Sequence, residues 1–552
     1  MLDVAFADAD GERLVTAWER RLREVLDLLR WPGAELAALR WPGGASLAFA
    51  APPDVLYAAT EINEWAWDAG VADVLGGPAE PPAEAARRLG GAVAAERKPA
   101  LIALLQAARD RHAAALVDDE MVSVGLGAGS RAWALTDLPT PALVPWEEIH
   151  DVPLVLVTGS NGKTTTTRML AAIAAAAGHV PGWSCTDGIW VGGEAVETGD
   201  WAGPGGARRV LRDRRVEFAV LETARGGILR RGLPVTRAAA AIVTNVAEDH
   251  FGEYGVSDLE GLAAVKLVVG RAIGADGRLV LNAEDPALAA AAAGGTAPML
   301  WFAEDAGNPV VGAHLAAGGD ATVVEGGVLT LRRGWTGVPV LPVAEVPATF
   351  GGRLGHNVRN ALAAAGAAWA AGLEPEAIAR GLRSFRGGAE DNPGRANVFR
   401  LGDDVTAVVD FAHNPHGVAA IADVARLFPG APRTVLLGQA GDRDDRAIRD
   451  LARSAWALRP ARVILKDLVN YLRGRAPGEL PALMRRELLS LGCPPGAILD
   501  GGGDLEATRL ALGLAQPGDL LLLLVHERQA EVLALLARLE RDRWRPGLPL
   551  PA

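Results

Sequence analysis

Cysteine is nearly absent from this sequence, which has 2 cysteines in 552 residues, Cys185 and Cys493. Two cysteines so far apart exclude a disulfide-rich scaffold and a zinc site built from cysteines, and they fit a reducing compartment. Long apolar runs are missing too, because stretches such as residues 171–177 and 520–525 are far shorter than the roughly 20 residues of a membrane span. We therefore expect a soluble protein with no membrane partner.

Basic residues are outnumbered, with 55 Lys and Arg against 67 Asp and Glu, which gives a net charge of −12. A chain of this charge repels a nucleic acid backbone, so we expect no nucleic acid partner, and any phosphate must be held by a local set of donors. Residues 1–5 lack the basic and apolar segments that begin a secretory signal. The expected location is therefore the cytoplasm.

Alternating apolar runs and helical patterns predict an α/β protein of several domains, because 552 residues exceed one hydrophobic core. Residues 1–145 carry amphipathic stretches rich in Trp and Ala, and we expect them to form a small α+β domain. Residues 146–388 alternate strands with helices, which predicts a parallel sheet covered on both faces. The strand signals in this region are residues 154–157, 218–221, 241–244 and 279–282. A second series in residues 389–552 predicts a smaller Rossmann-like α/β domain.

The strongest motif is Gly-Ser-Asn-Gly-Lys-Thr-Thr at residues 159–165, between an apolar strand and a helix. Glycines let the backbone wrap around a phosphate, and the N–H groups at the helix N-terminus point at the anion. In such a loop Lys163 reaches the terminal phosphates and the Thr164 hydroxyl ligates Mg²⁺. Val157 stands where the strict Walker pattern has glycine, so this loop is a shorter relative. A glycine-rich turn that binds nothing is the alternative.

Three charged residues follow at or near predicted strand ends, where open α/β sheets bind their ligands. Glu222 closes an apolar strand, which is a costly place for a carboxylate unless a cation satisfies it. His250 follows the next strand beside acidic residues, and it is either a Mg²⁺ ligand or a structural histidine. Lys266 lies in a helical run, where a lysine is normally solvated.

Together with later motifs, the loop resembles the Mur ligase superfamily over roughly residues 150–552. The later motifs are Glu222, Thr244-Asn245 with Asp249-His250, His-Asn-Val-Arg-Asn-Ala-Leu at 356–362, Pro-Gly-Arg at 393–395 and Asp-Phe-Ala-His-Asn-Pro at 410–415. The resemblance implies a Mur ligase-type P-loop central domain with a parallel sheet and a Rossmann-like C-terminal domain. It also implies an ATP-dependent carboxylate–amine ligase that works through an acyl phosphate and forms ADP and phosphate.

The resemblance assigns a role to each site residue. The residues expected to bind ATP are Gly159, Ser160, Asn161, Gly162, Lys163, Thr164, Thr165, Asn245, Asn357, Asn360, Arg395 and Asp410. Those expected in catalysis are Lys163, Glu222, His250 and Lys266. Two Mg²⁺ ions are expected on Thr164, Glu222, His250 and Lys266. The residues expected to contact the substrates are Arg225, His413, Asn414 and Asp442.

Two of these roles have structural alternatives. Lys266 lies near the place where relatives carry a lysine carbamylated by CO₂, and an unmodified surface lysine is the other possibility. Asn357 and Asn360 lie three residues apart on one helical face, as the adenine contact requires. Capping of the same helix would equally explain two asparagines near its start.

Within the superfamily, residues 221–233 resemble the Mur-type half of the cyanophycin synthetases, and residues 120–131 resemble their N-terminal domain. That family has an ATP-grasp domain between these parts, whereas about 20 residues stand here, fewer than the ~50 that a domain needs. The resemblance thus implies a single ligation, of an amino acid such as Arg to an aspartyl side-chain carboxylate of a peptide, polymer or small metabolite. It also implies a homo-oligomer, either a dimer or a tetramer.

The acidic side chains of Asp442, Asp444 and Asp445 could receive the guanidinium of Arg, and a solvated acidic turn is the alternative. Two other functions also fit the sequence. One is a folylpolyglutamate- or peptidoglycan-type ligase of the same superfamily. The other is a non-catalytic ATP-binding partner of a separate ATP-grasp ligase, which the joint presence of Lys163, Glu222 and His250 disfavours.

Overall fold

The computed structural model describes residues 1–248, 251, 255–256 and 258–551. The contacts of the chain divide it into two units. The smaller unit contains Met1–Val152, Leu211–Arg214 and Phe251–Gly261, and the larger contains Pro153–Val210, Arg215–His250 and Leu262–Ala552. Among the described helices, none is both long enough and apolar enough to cross a membrane.

The smaller unit is an α+β structure with two antiparallel three-stranded sheets. Its strands are Leu2–Ala5, Leu36–Trp41 and Gly44–Phe49 in one sheet, and Ala115–Val117, Met121–Val124 and Arg131–Ala134 in the other. Its helices are Gly11–Leu28, Leu56–Leu75, Pro82–Glu96 and Pro99–Asp110. The buried Trp18 donates its indole N–H to Asn63 Oδ1 at 2.8 Å, and Asn63 Nδ2 donates to the Leu47 carbonyl at 3.0 Å, so this buried amide is paired at both ends.

A mixed sheet of eleven strands, counted among the described residues, is called here the central sheet. Its parallel strands are Pro181–Cys185, Phe218–Glu222, Leu154–Thr158, Ala238–Val243, Ile273–Asn282, Met299–Ala303 and Asp320–Glu325, in spatial order. The parallel sheet predicted from the sequence is therefore confirmed for the middle of this sheet.

The prediction is corrected at both edges, where antiparallel strands continue the sheet. These are Gly188–Val191 and Glu194–Thr198 at one edge, and Val328–Arg333 and Thr336–Pro342 at the other. The reason is local, because two Gly-Gly pairs at residues 192–193 and 326–327 have positive φ and reverse the chain between paired strands.

Several helices pack against the central sheet. They are Lys163–Ala176, Pro286–Ala292, Pro309–Ala316, Gly355–Ala370 and Pro375–Ser384. The same stretch of sequence also contains the helices Pro204–Arg212, Arg225–Arg231 and Leu259–Leu267. The helix that follows the phosphate loop, Lys163–Ala176, packs against Gly355–Ala370 and Pro375–Ser384. Small residues allow this approach, since a Cβ at Gly381 would overlap the backbone of Ile173. This packing brings the start of Gly355–Ala370 to the phosphate loop.

The C-terminal sheet has six strands among the described residues. In spatial order they are Asn397–Arg400, Thr406–Asp410, Leu520–Leu524, Arg433–Leu437, Arg462–Leu465 and Ile498–Asp500. Its helices are Pro415–Arg426, Asp445–Ala457, Glu479–Ser490, Asp504–Gly513 and Gln529–Arg541. All strands but the antiparallel first one are parallel, which confirms the predicted Rossmann-like α/β fold.

Candidate active site

A cavity of about 500 Å³ contains the phosphate loop and lies within the larger unit. The residues predicted from the sequence that line it are Ser160, Asn161, Gly162, Lys163, Thr164, Thr165, Glu222, Asn245, Asn357, Asn360, Arg395, Asp410 and His413. Five predicted residues are described but do not line it, namely Gly159, Arg225, Lys266, Asn414 and Asp442. His250 lies outside the described residues.

The phosphate loop has a backbone that only glycine adopts easily at two positions. Gly159 and Gly162 have φ of +147° and +85°, and a Cβ on them would overlap the side chains of Thr244 and Asn360, respectively. The amide of Asn245 clamps the loop, because its Oδ1 accepts from Asn161 N–H at 2.9 Å and its Nδ2 donates to the Asn161 carbonyl at 3.0 Å. These contacts therefore fix the loop backbone in the conformation that a phosphate site needs.

Lys163 and the Thr164 hydroxyl lie where the motif predicts them, at the start of the helix. Lys163 Nζ donates to the carbonyls of Gly159 and Ser160 at 3.1 and 3.2 Å, so the ammonium group lies over the loop. Thr164 Oγ1 donates to Glu222 Oε2 at 2.9 Å. Two hard oxygen ligands therefore lie side by side at the loop, which is the chemistry that Mg²⁺ prefers.

Glu222 is buried, with 1% of its surface exposed. Burial raises the pKa of its carboxyl group, and the charge of Lys163 opposes that rise. Thr186, which the sequence analysis did not select, donates its hydroxyl to Glu222 Oε1 at 3.0 Å. The only sequence signal for Thr186 is its position one residue after the strand Pro181–Cys185. Both carboxylate oxygens thus have a hydroxyl partner, which fixes the orientation of the carboxylate.

Asp410 and Arg395 reach the cavity from the C-terminal sheet. Asp410 accepts hydrogen bonds from the N–H groups of Ala396 and Ala412 at 2.8 and 2.7 Å. Burial raises the pKa of Asp410, and the charge of Arg395 opposes that rise. The Arg395 guanidinium lies 4.6 Å from the Phe411 ring centroid. Both side chains that were expected to meet the nucleotide from this side therefore face the same space as the phosphate loop.

The two asparagines of the helix Gly355–Ala370 lie in the cavity wall and do not cap the helix. Asn357 Nδ2 donates to the Ala348 carbonyl at 2.8 Å, and Asn360 Nδ2 donates to Asn357 Oδ1 at 3.1 Å. The capping alternative is therefore wrong. Their placement is compatible with the predicted contact to the base.

The cavity is also lined by five residues that were not predicted as site residues from the sequence. They are Glu284, Asp285, His356, Arg359 and His416. Burial lowers the pKa of His356 to about 4, so this ring is neutral at pH 7. Three of the five stand inside or beside recognised motifs (356–362 and 410–415), and this proximity is the signal that could have found them.

Lys266 is buried, with 3% of its surface exposed, in the helix Leu259–Leu267. The alternative of a lysine on the surface is therefore wrong, and carbamylation stays a prediction. Arg225 is buried at the start of the helix Arg225–Arg231.

The acidic side chains near Asp442 have partners within the chain. Asp442 pairs with Arg443 and Arg473, and Asp445 pairs with Arg475. Asp444 is the N-cap of the helix Asp445–Ala457, where its carboxylate accepts from Ala447 N–H at 2.7 Å. The three carboxylates that were predicted to bind a substrate guanidinium therefore already have partners in the chain itself.

Residues 157–368 match the Mur ligase middle domain family, and residues 394–524 match the family of the Mur ligase glutamate ligase domain. The chain belongs to the Mur ligase family. This family is one of ATP-dependent acid–amino acid ligases. The matched segments include the phosphate loop, Glu222, the helix with Asn357 and Asn360, and the strand that ends at Asp410.

Individual relatives were found in sequence and in structure. Cyanophycin synthetase of Crocosphaera subtropica is 41% identical over 351 residues, which are 63% of this chain and 39% of that protein. UDP-N-acetylmuramoyl-L-alanyl-D-glutamate–2,6-diaminopimelate ligase of Corynebacterium efficiens is 29% identical over 391 residues, 67% of this chain and 68% of that protein. A solved bifunctional folylpolyglutamate synthase/dihydrofolate synthase has a TM-score of 0.49 at 20% identity, covering 70% of this chain and 89% of that chain. This Mur ligase spans about two fifths of the length of the cyanophycin synthetase it matches.

Proposed function

We propose that this Mur ligase joins arginine to the side-chain carboxylate of an aspartyl residue in a peptide, polymer or small metabolite. The observation that carries the proposal is the 41% identity to a cyanophycin synthetase over 63% of the chain. A ligase of the same family at 29% identity acts in another context, so the amine is the point that needs an experiment.

The proposed reaction has two displacements. A carboxylate oxygen of the acid attacks the γ-phosphorus of ATP, the bond between that phosphorus and the bridging oxygen breaks, and ADP leaves. The amine nitrogen then attacks the acyl carbon, phosphate leaves, and the nitrogen loses a proton to solvent. Positioning and charge neutralisation are the main tasks of a protein in such phosphoryl transfer.

The residues that line the cavity are suited to positioning the reactants and neutralising their charge. The loop N–H groups and Lys163 neutralise the phosphates, and Arg395 adds a third source of positive charge from the C-terminal sheet. Mg²⁺ held by the oxygens of Thr164 and Glu222 would supply further neutralisation. His413 also lines this space and is proposed to contact the amine substrate, whereas Asp442 is paired elsewhere.

We also propose that Lys266 is carbamylated. Its support is position, because Lys266 follows His250 by sixteen residues, near the place where relatives carry a carbamylated lysine, and its side chain is buried. Together with His250, the carbamate would hold the second Mg²⁺.

The decisive assay is phosphate release from ATP with aspartyl acceptors and a set of amino acids. We expect release that depends on both the acceptor and Arg, and Lys163→Ala should lower it at least about 100-fold. Lys98→Ala, at an exposed residue that does not line the cavity, is the control and should change nothing. Turnover with Lys, Glu or diaminopimelate but not Arg would refute the arginine assignment. Equal ATP turnover without any amine would refute ligation.

A further inference from the structure

A buried polar cluster lies under the C-terminal wall of the cavity and consists of Lys466, Asp504 and His526. Lys466 follows the strand Arg462–Leu465, and its side chain and that of Asp504 are fully buried and form an ion pair. Removing such a pair from water is costly, and an apolar pair of similar volume usually serves stability as well or better. Stability alone therefore does not account for the cluster.

The hydrogen bonds of the cluster allow one tautomer of His526. Lys466 Nζ lies 3.1 Å from His526 Nδ1, and because a lysine ammonium only donates, Nδ1 must accept. The ring proton is then on Nε2, which donates to the Ala412 carbonyl at 3.2 Å. Burial and the adjacent charge of Lys466 lower the pKa of His526 well below its usual value, which keeps the ring neutral as this arrangement requires.

Asp504 holds the backbone next to the ring. Its Oδ2 accepts from the N–H groups of His526 and Glu527 at 3.0 and 2.6 Å. Burial opposes ionisation of Asp504, but the charge and hydrogen bond of Lys466 outweigh it and lower the pKa of that carboxyl group. The position of His526 is thus set from two sides, by its ring and by its main chain.

The cluster connects directly to the cavity wall. Ala412 belongs to residues 410–413, the 410–413 loop, which lines the cavity. The Phe411 ring meets the His526 ring edge to face at 5.1 Å. It also contacts the His413 ring at 5.6 Å, and the Arg395 guanidinium lies 4.6 Å from its centroid. His526 therefore contacts both the Ala412 carbonyl and the Phe411 ring, and the Phe411 ring in turn contacts the Arg395 guanidinium.

We propose that Lys466, Asp504 and His526 are positioning residues that hold the 410–413 loop, and with it Asp410 and Arg395, in the arrangement used for ligation. The inference rests on the proposed function, because it assigns these residues to that reaction. A displaced loop moves the charged groups of one wall relative to the phosphate loop, and misplacement on the ångström scale costs about 100-fold in rate.

Two substitutions at His526 separate positioning from packing. A glutamine amide reaches the place of Nε2 and donates to the Ala412 carbonyl, whereas alanine does not. We expect His526→Ala to lower kcat about 10- to 100-fold and His526→Gln to recover most of that loss. Equal kcat in the two variants would overturn the proposal.

A matched pair on one strand supplies the structural control. Arg462 begins the strand that Lys466 follows, and it pairs with the buried Asp519 at 3.3 Å. Lys466→Met and Arg462→Met each remove a cation from a buried carboxylate, and both should lower Tm. We expect kcat to fall about tenfold or more in Lys466→Met and to stay within about twofold in Arg462→Met. An equal fall in kcat would overturn the proposal.

Nitrogen NMR of ¹⁵N-histidine protein tests the geometry without any assay of activity. The His526 signal is identified by its loss in His526→Gln. We expect a neutral ring protonated at Nε2 at pH 7, and a ring protonated at Nδ1 or at both nitrogens would overturn the proposal. If wild-type protein shows no acid- and amine-dependent phosphate release, the proposed function fails, whereas the NMR result still decides how His526 is held.

Discussion

Asn414 Nδ2 donates a hydrogen bond to Asn161 Oδ1 over 3.2 Å, which joins the C-terminal sheet to the phosphate loop. Asn414 is also the N-cap of the helix Pro415–Arg426, where its Oδ1 accepts from Gly417 N–H at 2.8 Å. The Asn161 side chain has a second contact, because its Nδ2 lies 3.1 Å from His416 Nδ1. One loop side chain thus connects to two residues of the C-terminal part, so we expect nucleotide binding and domain closure to be coupled.

Asn414→Ser tests this connection. Serine caps a helix about as well as asparagine, but it is too short to reach Asn161. Loss of one hydrogen bond is worth about 1 kcal/mol, so we expect the KM for ATP to rise roughly fivefold with little change in Tm. Asp444→Ser is the control, because Asp444 caps the helix Asp445–Ala457 without touching the loop. A similar KM in both variants would contradict the coupling.

The Thr186 hydroxyl should set the affinity for Mg²⁺ through Glu222. Thr186→Val keeps the shape of the side chain and removes the hydrogen bond to Glu222 Oε1. Such a second partner of a metal ligand is typically worth 10-fold or more, so we expect the Mg²⁺ concentration for half-maximal activity to rise roughly tenfold.

The control for Thr186 is Thr223→Val. The Thr223 hydroxyl is buried next to Glu222 in sequence but donates to the Leu221 carbonyl at 3.1 Å. We expect its Mg²⁺ requirement to stay at the wild-type value. If both valine variants shift the Mg²⁺ titration alike, Thr186 has no special role in orienting Glu222.

Asp410 should make the protein less stable as pH rises. Its folded pKa is raised by burial, so above the unfolded value of about 3.9 the folded state keeps a proton that the unfolded chain releases. Stability then falls with rising pH until the folded pKa is passed. Asp410→Asn removes this dependence, so the variant should gain Tm relative to wild type as pH rises above about 4. A Tm difference that is constant over this range would show that Asp410 titrates normally.

Carbamylation of Lys266 predicts that activity depends on CO₂. Removal of CO₂ from the buffer should lower wild-type activity, and bicarbonate should restore it. Lys266→Met should be inactive under both conditions, because the carbamate cannot form. Native mass spectrometry that shows an unmodified lysine in bicarbonate, with activity independent of CO₂, would exclude the modification.

Much of the fold follows from local sequence patterns. The apolar run at 154–157 predicts the strand Leu154–Thr158, which is buried along its whole length. The antiparallel edges of the central sheet were not predicted, because the segment at 328–333 alternates apolar and polar residues only briefly. The two Gly-Gly turns were the available sign of a hairpin.

The residues of the candidate site likewise fall into those that a local motif predicts and those that it does not. Lys163, Thr164 and Glu222 could be predicted, because each belongs to a short motif with a chemical meaning of its own. Thr186 carries no such motif and becomes important only because the strand Pro181–Cys185 lies next to Phe218–Glu222. The acidic residues around Asp442 were predicted to bind a substrate. The sequence does not show that arginines about thirty residues later pair with them, as Arg473 does with Asp442 and Arg475 with Asp445.

The sequence alone determined the phosphate loop, since positive φ at Gly159 and Gly162 is a property of glycine itself, and the order of motifs identifies the family. Only the tertiary structure decided which distant groups meet there. The pairing of Asn161 with Asn414, and of Lys466 with His526, depends on which strands are neighbours in the two sheets. Contacts of that kind arise from packing of the whole larger unit, and no local pattern encodes them.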